Sequence, residues 1–286
     1  MVSKGGGMIL ERLSLRGKTA IVSGAGGEGI GTATSLALAE AGAKVVAVDI
    51  AAERVQDTER RLRAMGGECL GIQADLRKKS EVDRIIAQAV QRYGGVHCLA
   101  NVAGGMQPGQ WGRLEDYGER EFDDVISLNL RYVFLICQAV AKHMIERQIR
   151  GTMVSVASVS GIASAPYHAP YGAAKAGLMA LTRSMAIEWS AYGIRANALA
   201  PGSVKTPRAM AGSAMDMDER AKGNIPIGRV CQPDEIAAGI LFLLSPLSSA
   251  ISGQTLIVDG AATAKFPLMG QTNKYAPEVR VEAPRP

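Results

Sequence analysis

Thr19-Ala20-Ile21-Val22-Ser23-Gly24-Ala25-Gly26-Gly27-Glu28-Gly29-Ile30-Gly31 sets the architecture of this chain. Thr19 to Val22 read as a buried strand. The glycines read as a sharp turn, and an Ala-rich helix follows over about 32–41 until Gly42 stops it as a C-terminal cap would. Gly24, Gly26 and Gly29 fit G-x-G-x-x-G, whose glycines let the backbone approach a pyrophosphate resting on helix N-terminal amides. On this reading Gly24, Gly29, Ile30 and Gly31 contact a dinucleotide. Asp49 closes the next strand, 43–48, 20 residues past Gly29. An acid there accepts hydrogen bonds from the adenosine ribose hydroxyls. Asp49 would also repel a 2′-phosphate, and Glu28 adds a second negative charge on that side, so NAD is favoured over NADP. Arg54 is placed away from this point, on the exposed helix that follows.

Around this unit, short apolar runs alternate with longer helical patterns. Helices are expected at about 53–65, from Ser80 (with Ser80-x-x-Asp83 as a capping box), at 119–148, 171–191 and 233–244. Strands are expected at 69–73, 97–101, 152–156, 195–199 and 256–258, with the first two making seven. Strands apolar throughout and separated by helices mean a parallel sheet covered on both faces. The expected fold is therefore α/β, a single-domain, doubly wound, seven-stranded Rossmann sheet over residues 1–264. Residues 265–286 hold four of the twelve prolines and no periodicity, and read as a C-terminal extension.

Composition narrows the function classes. The chain has 286 residues and a net charge of +5, but residues 1–18 contribute +3 and 265–286 contribute +2. A neutral body argues against nucleic-acid binding, which needs a clustered basic face. No uncharged apolar run approaches the length of a membrane span, and Met8-Ile9-Leu10 is too short for a secretory core. Cys69, Cys98, Cys137 and Cys231 are scattered and read as buried reduced thiols, with no metal site and a cytoplasmic setting.

A second constellation carries chemistry. Tyr171 and Lys175 stand four apart at a helix start and share one face. A tyrosine is a poor acid or base near neutrality, and a fixed ammonium beside it favours the phenolate. Ser158 lies just past the fifth strand, at the carboxyl edge where such sheets bind ligands. Of the histidines, His97 is expected to be structural and His143 exposed on its helix, while His168, three before Tyr171, is a pocket candidate. Met210, Met215 and Met217 lie between Thr206 and Pro226 and suit either an adaptable pocket or plain packing.

These residues make the chain resemble the short-chain dehydrogenase/reductase family over residues 13–262. The matching stations are Asn101-Val102-Ala103-Gly104, Asn129, Ser155 to Gly161, Tyr171-Gly172-Ala173-Ala174-Lys175, Pro201-Gly202-Ser203-Val204-Lys205-Thr206, Ile225 to Arg229, and Ser252-Gly253-Gln254 through Asp259-Gly260. The resemblance implies that Tyr171 donates or accepts the proton, Ser158 holds the substrate oxygen, and Lys175 binds the nicotinamide ribose and lowers the Tyr171 pKa. It implies that Asn129 kinks its helix and holds a water. Asp75 and Leu76 would meet the adenine, and Asn101, Ala103 and Gly104 would line the cofactor. Pro201, Gly202, Val204 and Thr206 would anchor the nicotinamide end, in a chain that forms homotetramers, and the Thr206–Pro226 segment would act as a lid. One departure stands out: a residue is inserted before Gly29, which Gly26 and Gly27 can absorb by adopting positive φ.

The resulting expectation is an NAD-dependent oxidoreductase that interconverts a secondary alcohol and a ketone on a small or medium, rather apolar substrate. The alternatives are a 3-oxoacyl-thioester reductase using NADPH and a non-catalytic nucleotide-binding relative.

Overall fold

A computed structural model describes residues 8–264 apart from Pro108, Ala165 and residues 213–215. The extension at 265–286 and Met215 lie outside the described residues. Seven strands form one sheet: β1 (Thr19–Ser23), β2 (Lys44–Asp49), β3 (Cys69–Gln73), β4 (Cys98–Asn101), β5 (Thr152–Val156), β6 (Arg195–Pro201) and β7 (Thr255–Val258). All pairs are parallel and the order is β3-β2-β1-β4-β5-β6-β7. The chain reverses its winding between β1 and β4, and a crevice opens at such a switch point beyond the carboxyl ends of the strands.

Two apolar layers sandwich the sheet. On one face α1 (Ile30–Glu40), α2 (Ala52–Ala64) and α9 (Pro233–Leu244) bury Leu38, Leu62, Ile236 and Ile240 against Val22, Val45 and Val154. On the other, α3 (Lys79–Tyr93), α5 (Tyr132–Glu146) and α6 (Ala169–Trp189) bury Ile85, Ile136, Met144 and Leu178 against Ile21, Val46 and Leu99. Short helices α7 (Pro207–Ala211) and α8 (Met217–Ala221) follow β6. As expected, Gly42 takes φ 89° directly after α1.

Three local expectations change. The helix expected at 119–148 is α4 (Glu119–Ile126), a π-helical turn (Ser127–Arg131) and α5. Helix α3 starts at Lys79, after Lys78, so Ser80 does not cap it; Asp83 pairs with Lys79 instead. His143 is buried, because it accepts a hydrogen bond at Nε2 from the Val96 amide (3.2 Å) that fixes α5 to the turn before β4. His97 is structural as expected, accepting at Nδ1 from the Thr19 amide (3.1 Å). Within Glu119–Glu146 one 18-residue window is apolar enough by composition to cross a membrane (mean hydropathy 1.4), and 56% of that window is buried inside the protein. Its apolarity follows from its place as a core helix. All four cysteines are buried and free.

Candidate active site

The nucleotide end is built by close backbone approach. A Cβ on Gly24 would lie 2.6 Å from the Ala103 Cα, and one on Gly31 only 1.8 Å from the Gly24 carbonyl oxygen. Gly29 is the N-cap of α1 and brings no side chain to the first-turn amides, which at any helix start lack intrahelical partners and can hold an anion. A pyrophosphate fits this cradle. The inserted residue is absorbed differently from expectation: Gly27 (φ 86°) and Glu28 (φ 55°) take positive φ, whereas Gly26 does not. Gly26 is required for space instead, since its Cβ would stand 2.4 Å from the Arg54 Cβ.

Asp49 is buried at the end of β2, with Oδ2 accepting from the Gly26 amide (3.1 Å) and Oδ1 from the Ala51 amide (3.1 Å). It therefore ties the inserted loop to β2. The Glu28 carboxylate is neutralised by Arg61 of α2, so it adds no free negative charge beside Asp49. Arg54 is exposed, but its side chain runs alongside Gly26 and Gly27 rather than away from them. Asp75 is held by Arg77 in a two-pronged pair (2.9 and 3.0 Å), which keeps its carboxyl below the usual range; Leu76 beside it is buried. The Asn101 amide is engaged in the interior, donating to the Ser155 hydroxyl (3.1 Å) and the Cys137 sulfur (3.2 Å). Its side chain is thus turned under the sheet. Ala103 is fixed by its amide on the Ser23 carbonyl (2.9 Å) and by the Tyr132 hydroxyl on its own carbonyl (2.6 Å).

The chemistry end gathers Asn129, Ser158, Tyr171 and Lys175. Lys175 projects from the first turns of α6 into the interior and donates to the Val156 carbonyl at 2.8 Å. Burial pushes its ammonium down to about 7. Its Nζ stands 5.5 Å from the Tyr171 ring centroid. Burial raises the Tyr171 phenol above its ordinary value, while the Ser158 hydroxyl and the charge of Arg208 pull it back. Ser158 is buried and its Oγ accepts from the Ser160 amide (3.1 Å). Asn129 sits in the π-helical turn: Nδ2 donates to the carbonyls of Val125 (2.9 Å) and Gly105 (2.8 Å), and Oδ1 accepts from the Gly105 amide (2.7 Å). Gly104 separates the two groups, since a Cβ there would lie 2.8 Å from Asn129 Oδ1 and 3.2 Å from Lys175 Nζ.

The segment after β6 joins the two ends. The Gly202 amide donates to the Val258 carbonyl (2.9 Å), and Val204 bridges to Cys231. Thr206 caps α7 by accepting from the Ala209 amide (3.2 Å), and its methyl group lies 3.5 Å from the Cβ position of Gly29. Three residues went unnoticed in the sequence. Arg208 reaches over the crevice to the carbonyls of Gly104 (3.1 Å) and Met106. Trp111, from the loop after β4, stacks on His168 at 4.8 Å, and His168 stacks on Tyr171 at 5.8 Å. Tyr132 holds Ala103 as above. Spacing carries no signal for these contacts, which only the folded loops create.

A family model described as enoyl-(acyl carrier protein) reductase matches residues 24–263. A crystallised short-chain type dehydrogenase/reductase from Mycobacterium marinum superposes with a TM-score of 0.85 at 30% identity, covering 90% of this chain and 100% of that one. The chain is a short-chain dehydrogenase/reductase. The 2-dehydro-3-deoxy-D-gluconate 5-dehydrogenase of Escherichia coli (strain K12) is 35% identical to this dehydrogenase over 267 residues, 90% of this chain and all of the relative. A 7α-hydroxysteroid dehydrogenase solved with NADH and 7-oxo glycochenodeoxycholic acid matches at TM-score 0.82 and 31% identity, covering 88% of this chain and 96% of that one. The dehydrogenase is accordingly an NAD(P)-dependent oxidoreductase of CH–OH donors.

Proposed function

We propose that this dehydrogenase interconverts a secondary alcohol and a ketone with NAD, using Tyr171 as proton acceptor and donor. The observation that carries the cofactor choice is Asp49, a buried carboxylate pinned between two backbone amides at the end of β2. A fixed anion there receives ribose hydroxyls and opposes a 2′-phosphate. Gly24, Gly29, Ile30 and Gly31 hold the pyrophosphate, Asp75 and Leu76 border the adenine, and the backbone of Asn101, Ala103 and Gly104 lines the ribose. Pro201, Gly202, Val204 and Thr206 hold the nicotinamide end.

The bound dinucleotide supplies hydride acceptance and donation at the nicotinamide. Ser158 Oγ holds the substrate oxygen against Tyr171 Oη. In oxidation Tyr171 takes the hydroxyl proton as the carbinol hydride departs, and in reduction it returns that proton to the carbonyl oxygen. Lys175, anchored on Val156, orients the ribose and biases the phenol toward phenolate once charged. Asn129, fixed by three backbone hydrogen bonds, holds the water that carries the proton from Lys175 toward solvent.

A second reading, a 3-oxoacyl-thioester reductase using NADPH, draws on the position of Arg54 beside Gly26 and Gly27, within reach of a 2′-phosphate. Separate titrations with NADH and NADPH, followed by nicotinamide fluorescence, distinguish the two. Tight NADH and weak NADPH are expected, with the preference eroded in Asp49→Ala; preferred NADPH, or a ratio untouched by that substitution, overturns the NAD reading. We further place residues 1–264 in one catalytic unit with 265–286 as an extension. The chain is read as a cytoplasmic homotetramer, to which the exposed Phe134 of α5 and Ile187 of α6 offer apolar contact.

A further inference from the structure

Two polar side chains near Tyr171, Arg208 and His168, have no place in the alcohol–ketone chemistry. Arg208 bonds only the carbonyls of Gly104 and Met106, and no carboxylate pairs with its guanidinium among the described residues. Two carbonyls use part of its five donors and leave its charge uncompensated. Gly104 lies beside both Asn129 and Lys175, so the exposed Arg208 that bonds its carbonyl sits at the edge of the group that holds Tyr171, close enough for its charge to act on that phenol. Next to Tyr171, His168 is nine-tenths buried between Trp111 and the tyrosine, and its Nε2 has no hydrogen-bond partner among the described residues. Burial holds this imidazole below its ordinary pKa, which keeps it neutral and able to donate or accept one hydrogen bond. A buried polar atom without a partner is uncommon enough to point to a ligand.

We propose that the substrate is a hydroxy acid or its keto acid, with the carboxylate taken by Arg208 and a second polar group met by His168 Nε2. This rests on the alcohol–ketone reading above and names the substrate class for the same site. Guanidinium matches a carboxylate in a two-pronged geometry that fixes the carbinol relative to Tyr171. The reaction balances as before: the carbinol hydride passes to the oxidised dinucleotide, the hydroxyl proton passes to Tyr171, and the keto acid results. Arg208 reaches Gly104 and Met106, whereas the phosphate cradle at Gly24–Gly31 is met by Thr206; because Gly104 also borders the ribose, the NADH affinity of Arg208 variants separates a substrate role from a cofactor role.

The test compares acids with their uncharged amides on the full chain: 3-hydroxybutyrate against 3-hydroxybutyramide, and D-gluconate against D-gluconamide. Wild type should favour the acid in kcat/KM by at least tenfold in one pair. Arg208→Gln should erase that preference chiefly through KM, and Arg208→Lys should restore part of it. The Kd for NADH should stay within twofold in both variants. Equal use of acid and amide, or a preference that survives Arg208→Gln, overturns the proposal. So does a tenfold loss of NADH affinity in the variants, which would assign Arg208 to the cofactor. Oxidation of uncharged secondary alcohols with rejection of the acids overturns the proposal and leaves the alcohol–ketone reading standing. Failure on acids, amides and uncharged alcohols alike overturns both.

Discussion

Replacing Lys175 with methionine should stabilise the cofactor-free protein at neutral pH. Lys175 is 3% exposed and its only described hydrogen bond is to the Val156 carbonyl. Burial lowers its pKa from 10.5 to about 7. Each tenfold change in a protonation equilibrium is worth about 1.4 kcal/mol, so holding the ammonium there costs on the order of 4–5 kcal/mol. Methionine keeps the chain's bulk, removes the charge and forfeits one hydrogen bond worth about 1 kcal/mol. The variant should therefore be more stable than wild type by about 3 kcal/mol at pH 7. The sign with pH follows from the depressed folded value. Between pH 7 and 10.5 the unfolded chain holds a proton that the folded chain has released, so wild-type stability rises with pH. The advantage of the variant should shrink to about zero near pH 9.5. Urea unfolding of both proteins at pH 7 and 9.5, read by circular dichroism, measures this. A wild type at least as stable as the variant at pH 7, or a gap unchanged at pH 9.5, would refute the argument. The strained ammonium makes sense as a functional device, stabilised by what binds above it rather than by the fold.

Gly31→Ala places a Cβ 1.8 Å from the Gly24 oxygen and must displace backbone. Overpacking of this kind costs roughly 1–3 kcal/mol, so NADH affinity should fall at least about fivefold with the far-ultraviolet spectrum preserved; wild-type affinity would show that the cradle is not where the dinucleotide binds. His97 and His143 accept hydrogen bonds from backbone amides, and burial lowers both pKa values. Their stabilisation is present above the unfolded histidine value of about 6.5 and lost as pH falls below it. The Tm should drop between pH 7.5 and 5.5, and His143→Gln should flatten that slope; an unaltered slope would exclude His143.

Much of this was legible in the chain. Apolar strands and helical spacing located all seven strands, because a parallel sheet buried on both faces leaves continuous apolar runs such as Val45-Val46-Ala47-Val48. Tyr171 and Lys175 were visible because one helix fixes their relation. What failed depended on neighbours distant in sequence. Glu28 looked like a free charge until Arg61, on another helix, neutralised it. His143 looked exposed because helical periodicity does not reveal that the Val96 amide needs an acceptor. The break at Asn129 came from the family resemblance and agrees with the π-helical turn, whereas Arg208 and Trp111 reach the site only through loops whose course is set by tertiary packing.

Tyr171→Phe, assayed on the secondary alcohol that wild type oxidises fastest, puts the proposed chemistry to its most direct trial. The substitution removes one hydroxyl and leaves the His168 stack and the Lys175 anchor on Val156 in place. NADH should bind the variant as tightly as wild type, while turnover should fall by about 10²–10⁴-fold. Retention of more than a tenth of wild-type turnover with normal NADH binding would contradict Tyr171 as the acid and base.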